Sequence, residues 1–280
     1  MKIAVQLGLL PGNTPKEKQK WAADNGVDGI EVSAWNYKPD QLDQALKDFE
    51  KSPVPVSTIC GNASFNFVDP DPKLRAQSVE ESKKYLEFCG KVGAVGQIFV
   101  PIFGGPKIND LSPYKDAITL EKDLLVESLK PLVDHAAKNK TQLLLEPLNR
   151  YETHLICRQA QAVEIIKRVK KNNLKLMSDF FHMHIEELNT PATFRSVGKY
   201  VAHVHLADNT RQEPGSGDID WVAGMKALLD INFKGYMAYE CGLRGEDKGK
   251  TLAKSLQFVR DSIQKARELG KAPKAKPGKK

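Results

Sequence analysis

Residues 141–157 read TQLLLEPLNRYETHLIC. Three leucines in a row make a run with no polar face, as expected of a strand covered on both sides in a parallel sheet. Glu146 stands directly at its end, and a carboxylate closing so apolar a run is costly without a partner. Working outward, seven further short runs share the pattern: KIAVQLG, GIEVSAW, VPVSTIC and VGQIFVP before it, and LKLMSDF, VAHVHLAD and GYMAYEC after it. Between them lie segments of helical period. Leu125, Leu129, Leu132 and Ala136 step by 4, 3 and 4, and Leu252, Leu256, Val259, Ile263 and Ala266 by 4, 3, 4 and 3. Those are the apolar stripes of helices covering a sheet. Eight strands alternating with helices in 280 residues predict an α/β protein, a single-domain (β/α)8 TIM barrel over residues 1–270. A doubly wound open sheet is the rival, but LGLLPGNTP after the first strand lacks its G-x-G-x-x-G turn.

Bulk composition narrows the function classes. The hydrophobic fraction of 41% supports a sizeable core, and the net charge of +7 suggests a nucleic-acid partner until it is located. Residues 271–280, KAPKAKPGKK, hold five lysines and no acid, leaving 37 basic against 35 acidic residues in 1–270. The barrel is thus nearly neutral. The Lys/Pro-rich end is expected to be a disordered, solvated tail. Cys60, Cys89, Cys157 and Cys241 show neither paired nor metal-type spacing, which suits a reducing, cytoplasmic setting. MKIAVQLGLL is interrupted by Gln6 and is expected to be a first strand rather than a signal peptide. No apolar run approaches the length of a membrane span. Neither nucleic acid nor membrane is expected as a partner, and homo-oligomerisation is left open.

In such a barrel the chemistry sits at the carboxyl ends of the strands. The last four runs end at Glu146, Asp179, His205 and Glu240, separated by 33, 26 and 35 residues, each about one strand–helix unit. Any one of these acids alone reads as a helix cap or an ion-pair partner. Three carboxylates and an imidazole converging on one point repel one another unless a cation sits among them. Oxygen-rich ligation with one nitrogen favours a single divalent ion, Mn²⁺, Mg²⁺ or Co²⁺, over structural zinc, and Mn²⁺ is the expected cofactor. His203 lies on the same side of its strand as His205 and is open to reading as a hydrogen-bonded core histidine.

LLLEPLNRYETHLIC, SDFFHMHIEE, VAHVHLADNTRQEPGSGDIDW and the late KSLQFVRDSI resemble motifs of the D-tagatose 3-epimerase family with its D-psicose (D-allulose) and L-ribulose 3-epimerase relatives, within the xylose-isomerase-like barrels. The likeness is strong over about residues 140–263 and weaker before. The resemblance implies a metal-dependent ketose 3-epimerase acting on a sugar. Glu146, Asp179, His205 and Glu240 would be the ligands, Glu146 and Glu240 also the acid/base pair, and Glu152, His182 and Arg211 the substrate contacts. Removing a proton next to a carbonyl leaves an enediolate, whose charge a divalent ion stabilises. Glutamates on its opposite faces then invert the carbon. Glu152 has a plainer alternative as a partner of Arg150. Phe180 stands where the family more often has a small polar residue, so a more apolar pocket is expected there. The PIFGGPKIND loop (101–110) has no match, and loops of that kind select the sugar. The paired glycines of PGSGD are expected to give flexibility.

The same ligands would serve an aldose–ketose, hydroxypyruvate or inosose isomerase, or a keto-cyclitol dehydratase. Endonuclease IV-like DNA repair shares the barrel but needs three zincs and many histidines, against six in all here. A non-catalytic sugar-binding barrel would have no need of both glutamates.

Overall fold

A computed structural model describes residues 1–269; the lysine-rich segment expected to be a tail lies outside them. The eight apolar runs form eight parallel strands: β1 (Lys2–Gln6), β2 (Gly29–Ser33), β3 (Val56–Cys60), β4 (Gly96–Phe99), β5 (Gln142–Leu145), β6 (Leu174–Asp179), β7 (Val201–Leu206) and β8 (Tyr236–Tyr239). They close in sequence order, with β1 paired to β8. The covering helices are α1 (Pro15–Asp24), α2 (Leu42–Phe49), α3 (Pro72–Val92), α4 (Ala117–Lys138), α5 (Gln159–Val169), α6 (Phe180–Glu186), α7 (Thr190–Val197), α8 (Trp221–Asp230) and α9 (Lys248–Leu269). The two leucine-rich stripes are the inner faces of α4 and α9. Among the described residues, no helix is long and apolar enough to cross a membrane.

Local chemistry sets the helix starts. Thr14 and Glu17 form a capping box ahead of Pro15, and Asp71, Asp116, Asn189 and Asp220 each accept a backbone N–H of the first turn. These side chains satisfy donors the helix itself cannot.

Strand alternation decides what reaches the mouth. On β5, Leu143 and Leu145 pack outward with α4 and α5, while Leu144 joins Ile98 and Met177 in a separate cluster inside the barrel. Burying each such leucine contributes about 2 kcal/mol, which holds the register. Side chains two apart share a face, so Glu146 follows Leu144 into the barrel and Asp179 follows Met177. The same rule sends Ile30 and Val32, Val204 and Leu206, and Met237 and Tyr239 outward. It turns Glu31, His203, His205 and Glu240 inward.

Candidate active site

Glu146 lies one residue beyond β5, Asp179 ends β6, His205 is near the end of β7 and Glu240 lies one residue beyond β8. One ligand atom from each lies within 4.8 Å of the others. Asp179 and His205 are fully buried and Glu146 nearly so. Glu146 Oε1 and His205 Nδ1 are buried and have no hydrogen-bond partner. His205 Nδ1 is only 3.0 Å from Glu240 Oε2, but the ring does not aim an N–H at it. Buried polar atoms left unmet are rare, and two aimed at one point among carboxylates fit a cation. Charge agrees for the ligating state: with the three carboxylates ionised and His205 neutral, the Arg211 guanidinium leaves two negative charges for a cation to offset.

The cap and cluster readings of Asp179 hold together. Its Oδ1 accepts from the Phe181 N–H (2.7 Å), capping α6, while Oδ2 faces the cluster and takes Arg211 Nη1 at 2.9 Å. Arg211 also bonds Glu240. Burial, and then the Glu240 charge, push the Glu146 carboxyl well above its ordinary range. Burial acts on Glu240 in the same direction, but His205 and Arg211 outweigh it and hold Glu240 at about 2. His205 is disfavoured as a cation by burial, yet the Glu31 and Glu240 carboxylates raise it well above the usual imidazole value.

Beneath the four lies a carboxylate absent from the expected site. Glu31, in β2 and fully buried, lies 2.9 Å from His205 Nε2 and 2.8 Å from His203 Nε2. It accepts from Thr58 Oγ1 (2.6 Å) and Gln6 Nε2 (3.1 Å). Burial opposes its charge, but His205 and His203 more than compensate and depress its pKa well below the ordinary value. Gln6 Nε2 also bonds Glu240 Oε1 (3.0 Å), to which Cys60 Sγ donates at 3.4 Å. Burial and the surrounding carboxylates push the Cys60 thiol well up, keeping it an S–H donor. The signal for Glu31 was an acid in the middle of GIEVS, a buried strand. His203 lies wholly in the core against Glu31 and is not one of the four converging residues.

Glu152, His182 and Arg211 all reach the same cavity. His182 accepts the Asn149 backbone N–H on Nδ1 (3.2 Å), and its Nε2 lies 3.8 Å from Glu146 and 3.7 Å from Asp179. Burial lowers its pKa and keeps the ring neutral. Asn149, a buried residue that spacing did not single out, also donates to Glu152 Oε1 (2.7 Å). Arg150 pairs with Glu186 at 2.8 Å, so the surface Arg150–Glu152 pair does not form. Arg211 adopts a left-handed backbone (φ 58°) and lies over the Phe181 ring at 4.7 Å.

Two expectations are corrected. Phe180 faces away from the cavity and packs against Phe194 and Trp221, at 5.2 and 4.8 Å between ring centres, with Gly224 making room for its ring. It therefore does not make the pocket more apolar. The PGSGD glycines serve close packing rather than looseness. Asp208 accepts from Gly215 N, Ile219 N, Asn209 N and Trp221 Nε1 at 2.9–3.2 Å. A Cβ on Gly217 would collide with the Asp208 and Asn209 side chains. This carboxylate-centred loop carries Arg211.

The cavity above the cluster measures 120 Å³ and is lined by Glu146, Glu152, His182, Arg211 and Glu240 on one side. Larger cavities lie beside the start of β3 (560 Å³) and between the loops after β7 and β8 and the start of α9 (430 Å³), and none of the four converging residues lines either. Every grouping of metal-ligating side chains among the described residues belongs to the Glu31–His203–His205–Glu240 neighbourhood.

Residues 19–272 match the xylose isomerase-like TIM barrel family. The chain is 31% identical over 262 residues to the 3-dehydro-D-guloside 4-epimerase of Escherichia coli (strain K12), covering 93% of this chain and 99% of that protein. It is 31% identical over 204 residues to the D-psicose 3-epimerase of Ruminiclostridium cellulolyticum, covering 71% of this chain and 66% of the relative. The apo crystal structure of a 3-keto-D-glucoside 4-epimerase from E. coli superposes with a TM-score of 0.83 at 29% identity, covering 93% of this chain and 99% of that one. The likeness thus extends through the first half, where the motifs alone were weak. Matched over most of its length by the family and along nearly the whole of a sugar epimerase, the chain belongs to the xylose isomerase-like TIM barrels, together with the ketose 3-epimerases and their sugar-epimerase relatives.

Proposed function

We propose that this protein is a divalent-metal-dependent epimerase that inverts the carbon next to the ketone of a keto sugar. The observation that carries the reading is the convergence of two glutamates, an aspartate and a histidine on one point, with Glu146 Oε1 and His205 Nδ1 buried and unmet. Glu146, Asp179, His205 and Glu240 would hold the ion, Mn²⁺ before Co²⁺ or Mg²⁺. Bound there, a divalent cation would polarise the ketone and offset the charge of the enediolate. Glu146 and Glu240 come from strands on different sides of the barrel. One takes the proton from the carbon and the other returns a proton to the opposite face. Arg211 and neutral His182 direct donors at the oxygens where charge gathers. Asn149 orients both His182 and Glu152, and Glu152 accepts a substrate hydroxyl.

The chemistry is the same for C3 of a 2-ketose and for C4 of a 3-keto sugar. Motifs in the second half support the ketose 3-epimerase reading. The match along nearly the full length of a 4-epimerase favours the 3-keto sugar, which we take as the leading substrate. The free thiols of Cys60, Cys89, Cys157 and Cys241 support cytoplasmic placement. The test is to strip the protein of metal, confirm it by elemental analysis and reload it with Mn²⁺. Proton NMR in D₂O then follows 2-ketoses, 3-keto sugars, hydroxypyruvate and keto-cyclitols. Exchange and inversion next to the ketone, only after reloading, are expected. Full activity in verified metal-free protein contradicts the reading, and exchange confined to C1 reassigns the protein as an isomerase.

A further inference from the structure

The cavity has two unlike walls. The ends of β5, β6, β7 and β8 supply the charged one. Facing it are Trp35, Phe65 and Phe103, from the consecutive loops after β2, β3 and β4, with Ile98 and Val100 beneath them. The Phe65 and Phe103 rings meet edge to face, 4.9 Å apart at 83°. Trp35 is 76% exposed and Phe103 46%. One exposed aromatic is ordinary, but three around one cavity form a patch that bears on a ligand.

These aromatics are held in place. Ala34 N bonds Cys60 O (2.9 Å), and the Ser33 N and Oγ both bond Asn36 Oδ1 (3.0 and 2.9 Å), fixing the turn that carries Trp35. Gly104, next to Phe103, bonds Glu152 O through its N–H (2.8 Å). The Gly104 carbonyl lies 2.8 Å from His154 Nδ1, and His154 in turn pairs with buried Glu121. The backbone that carries Trp35 and Phe103 is thus fixed before binding and loses little freedom when a ligand arrives.

We infer that this wall is a subsite for the aglycone of a keto-glycoside, its occupant a ring with an apolar face joined through the glycosidic oxygen. The inference rests on the keto-sugar epimerase reading above. A cavity of 120 Å³ has no room for a second ring beside the reacting sugar. Anything linked to that ring extends outward, past Phe103 and Trp35. A free open-chain ketose bears hydroxyls along its length and has no flat apolar face to lay on these rings. A phosphorylated sugar is disfavoured as well, because no lysine or arginine stands on the aromatic wall.

The experiment compares phenyl and methyl 3-ketoglucosides as substrates of the Mn²⁺-loaded wild type and of Trp35→Ala. Trp35 is largely solvent-exposed, so the variant folds. The phenyl-over-methyl ratio of kcat/KM should fall about 10-fold in the variant, mainly through KM. In parallel, unoxidised phenyl and methyl glucosides are titrated against wild type and Trp35→Phe by tryptophan fluorescence. A saturable response to the phenyl glucoside alone, lost in the variant, is expected. An unchanged ratio, or equal fluorescence responses to the two glucosides, overturns the subsite. If no keto sugar is turned over at all, the epimerase reading fails, and the fluorescence titration still decides the subsite.

Discussion

Glu31→Gln removes one buried charge and almost no volume, beneath the four candidate ligands. In the native protein Glu31 Oε1 lies 2.9 Å from His205 Nε2, and Oε2 lies 2.8 Å from His203 Nε2. A proton on His205 Nε2 then leaves the Nδ1 lone pair for the cluster, which is how a carboxylate behind a ligating histidine fixes its tautomer. Glutamine has one acceptor oxygen and one amide N–H₂, so whichever way it turns, one histidine faces a donor. Loss of such a supporting carboxylate weakens metal binding roughly 10- to 100-fold, or about 1.4–2.7 kcal/mol. Breaking the buried ion pair also lowers folding stability, by about 3 kcal/mol. Competition against a fluorescent chelator gives the Mn²⁺ dissociation constant, and urea unfolding gives the stability. Thr58→Val, which loses the 2.6 Å hydrogen bond to Glu31 and the 3.1 Å one with Ser57 Oγ, should cost about 1–2 kcal/mol and leave the dissociation constant nearly unchanged. A Glu31→Gln protein that is less stable but binds Mn²⁺ within twofold of wild type would show that Glu31 is core support and does not orient His205.

Three other outcomes are expected. Glu146 and His205 both have raised pKa values and must shed protons to ligate, so Mn²⁺ affinity should rise with pH above the ordinary carboxylate and imidazole ranges; a flat titration contradicts the ligand assignment. Asp208 is pushed up by burial but lowered on balance by Trp221 and backbone N–H groups. Its stabilisation is therefore complete above the unfolded carboxylate value and is lost as pH falls through its lowered folded value. Asp208→Asn should flatten the acid limb of the Tm-versus-pH curve, and superimposable acid limbs would refute that. Leu144→Ala empties a fully buried position inside the barrel and should cost about 2–5 kcal/mol in urea unfolding, whereas a loss under about 1 kcal/mol would mean the interior collapses to fill the gap.

The barrel was legible because its strands are covered on both faces. Runs such as LLLE and VHLAD carry that burial in their composition, and unit-length spacing brought four of their ends to one place. The convergence of Glu146, Asp179, His205 and Glu240 was legible for the same reason, since an acid ending an apolar run is conspicuous. Glu31 went unnoticed because it lies inside its strand, and the imidazoles that meet its charge are more than 170 residues away. Asn149 escaped because its role is defined by the orientation of His182, a tertiary fact. Phe180 was misplaced because α6 begins directly after Asp179. The turn from strand to helix rotates the next side chain outward, into the helix layer. The PGSGD glycines suggested looseness, yet Asp208 and Asn209 sit where a Gly217 side chain would otherwise be, and the Phe258 ring crowds Gly215.

The division of labour between Glu146 and Glu240 is the most direct test of the account. Glu146→Gln and Glu240→Gln each keep an oxygen for the ion and lose the proton carrier. With metal content verified in both, each should lose net epimerisation by roughly 10² to 10⁴. Proton NMR in D₂O should show the hydrogen next to the ketone exchanging without inversion, in one variant and from one epimer only, because the remaining glutamate still serves its own face. Full epimerisation by metal-loaded Glu146→Gln would contradict the two-glutamate mechanism.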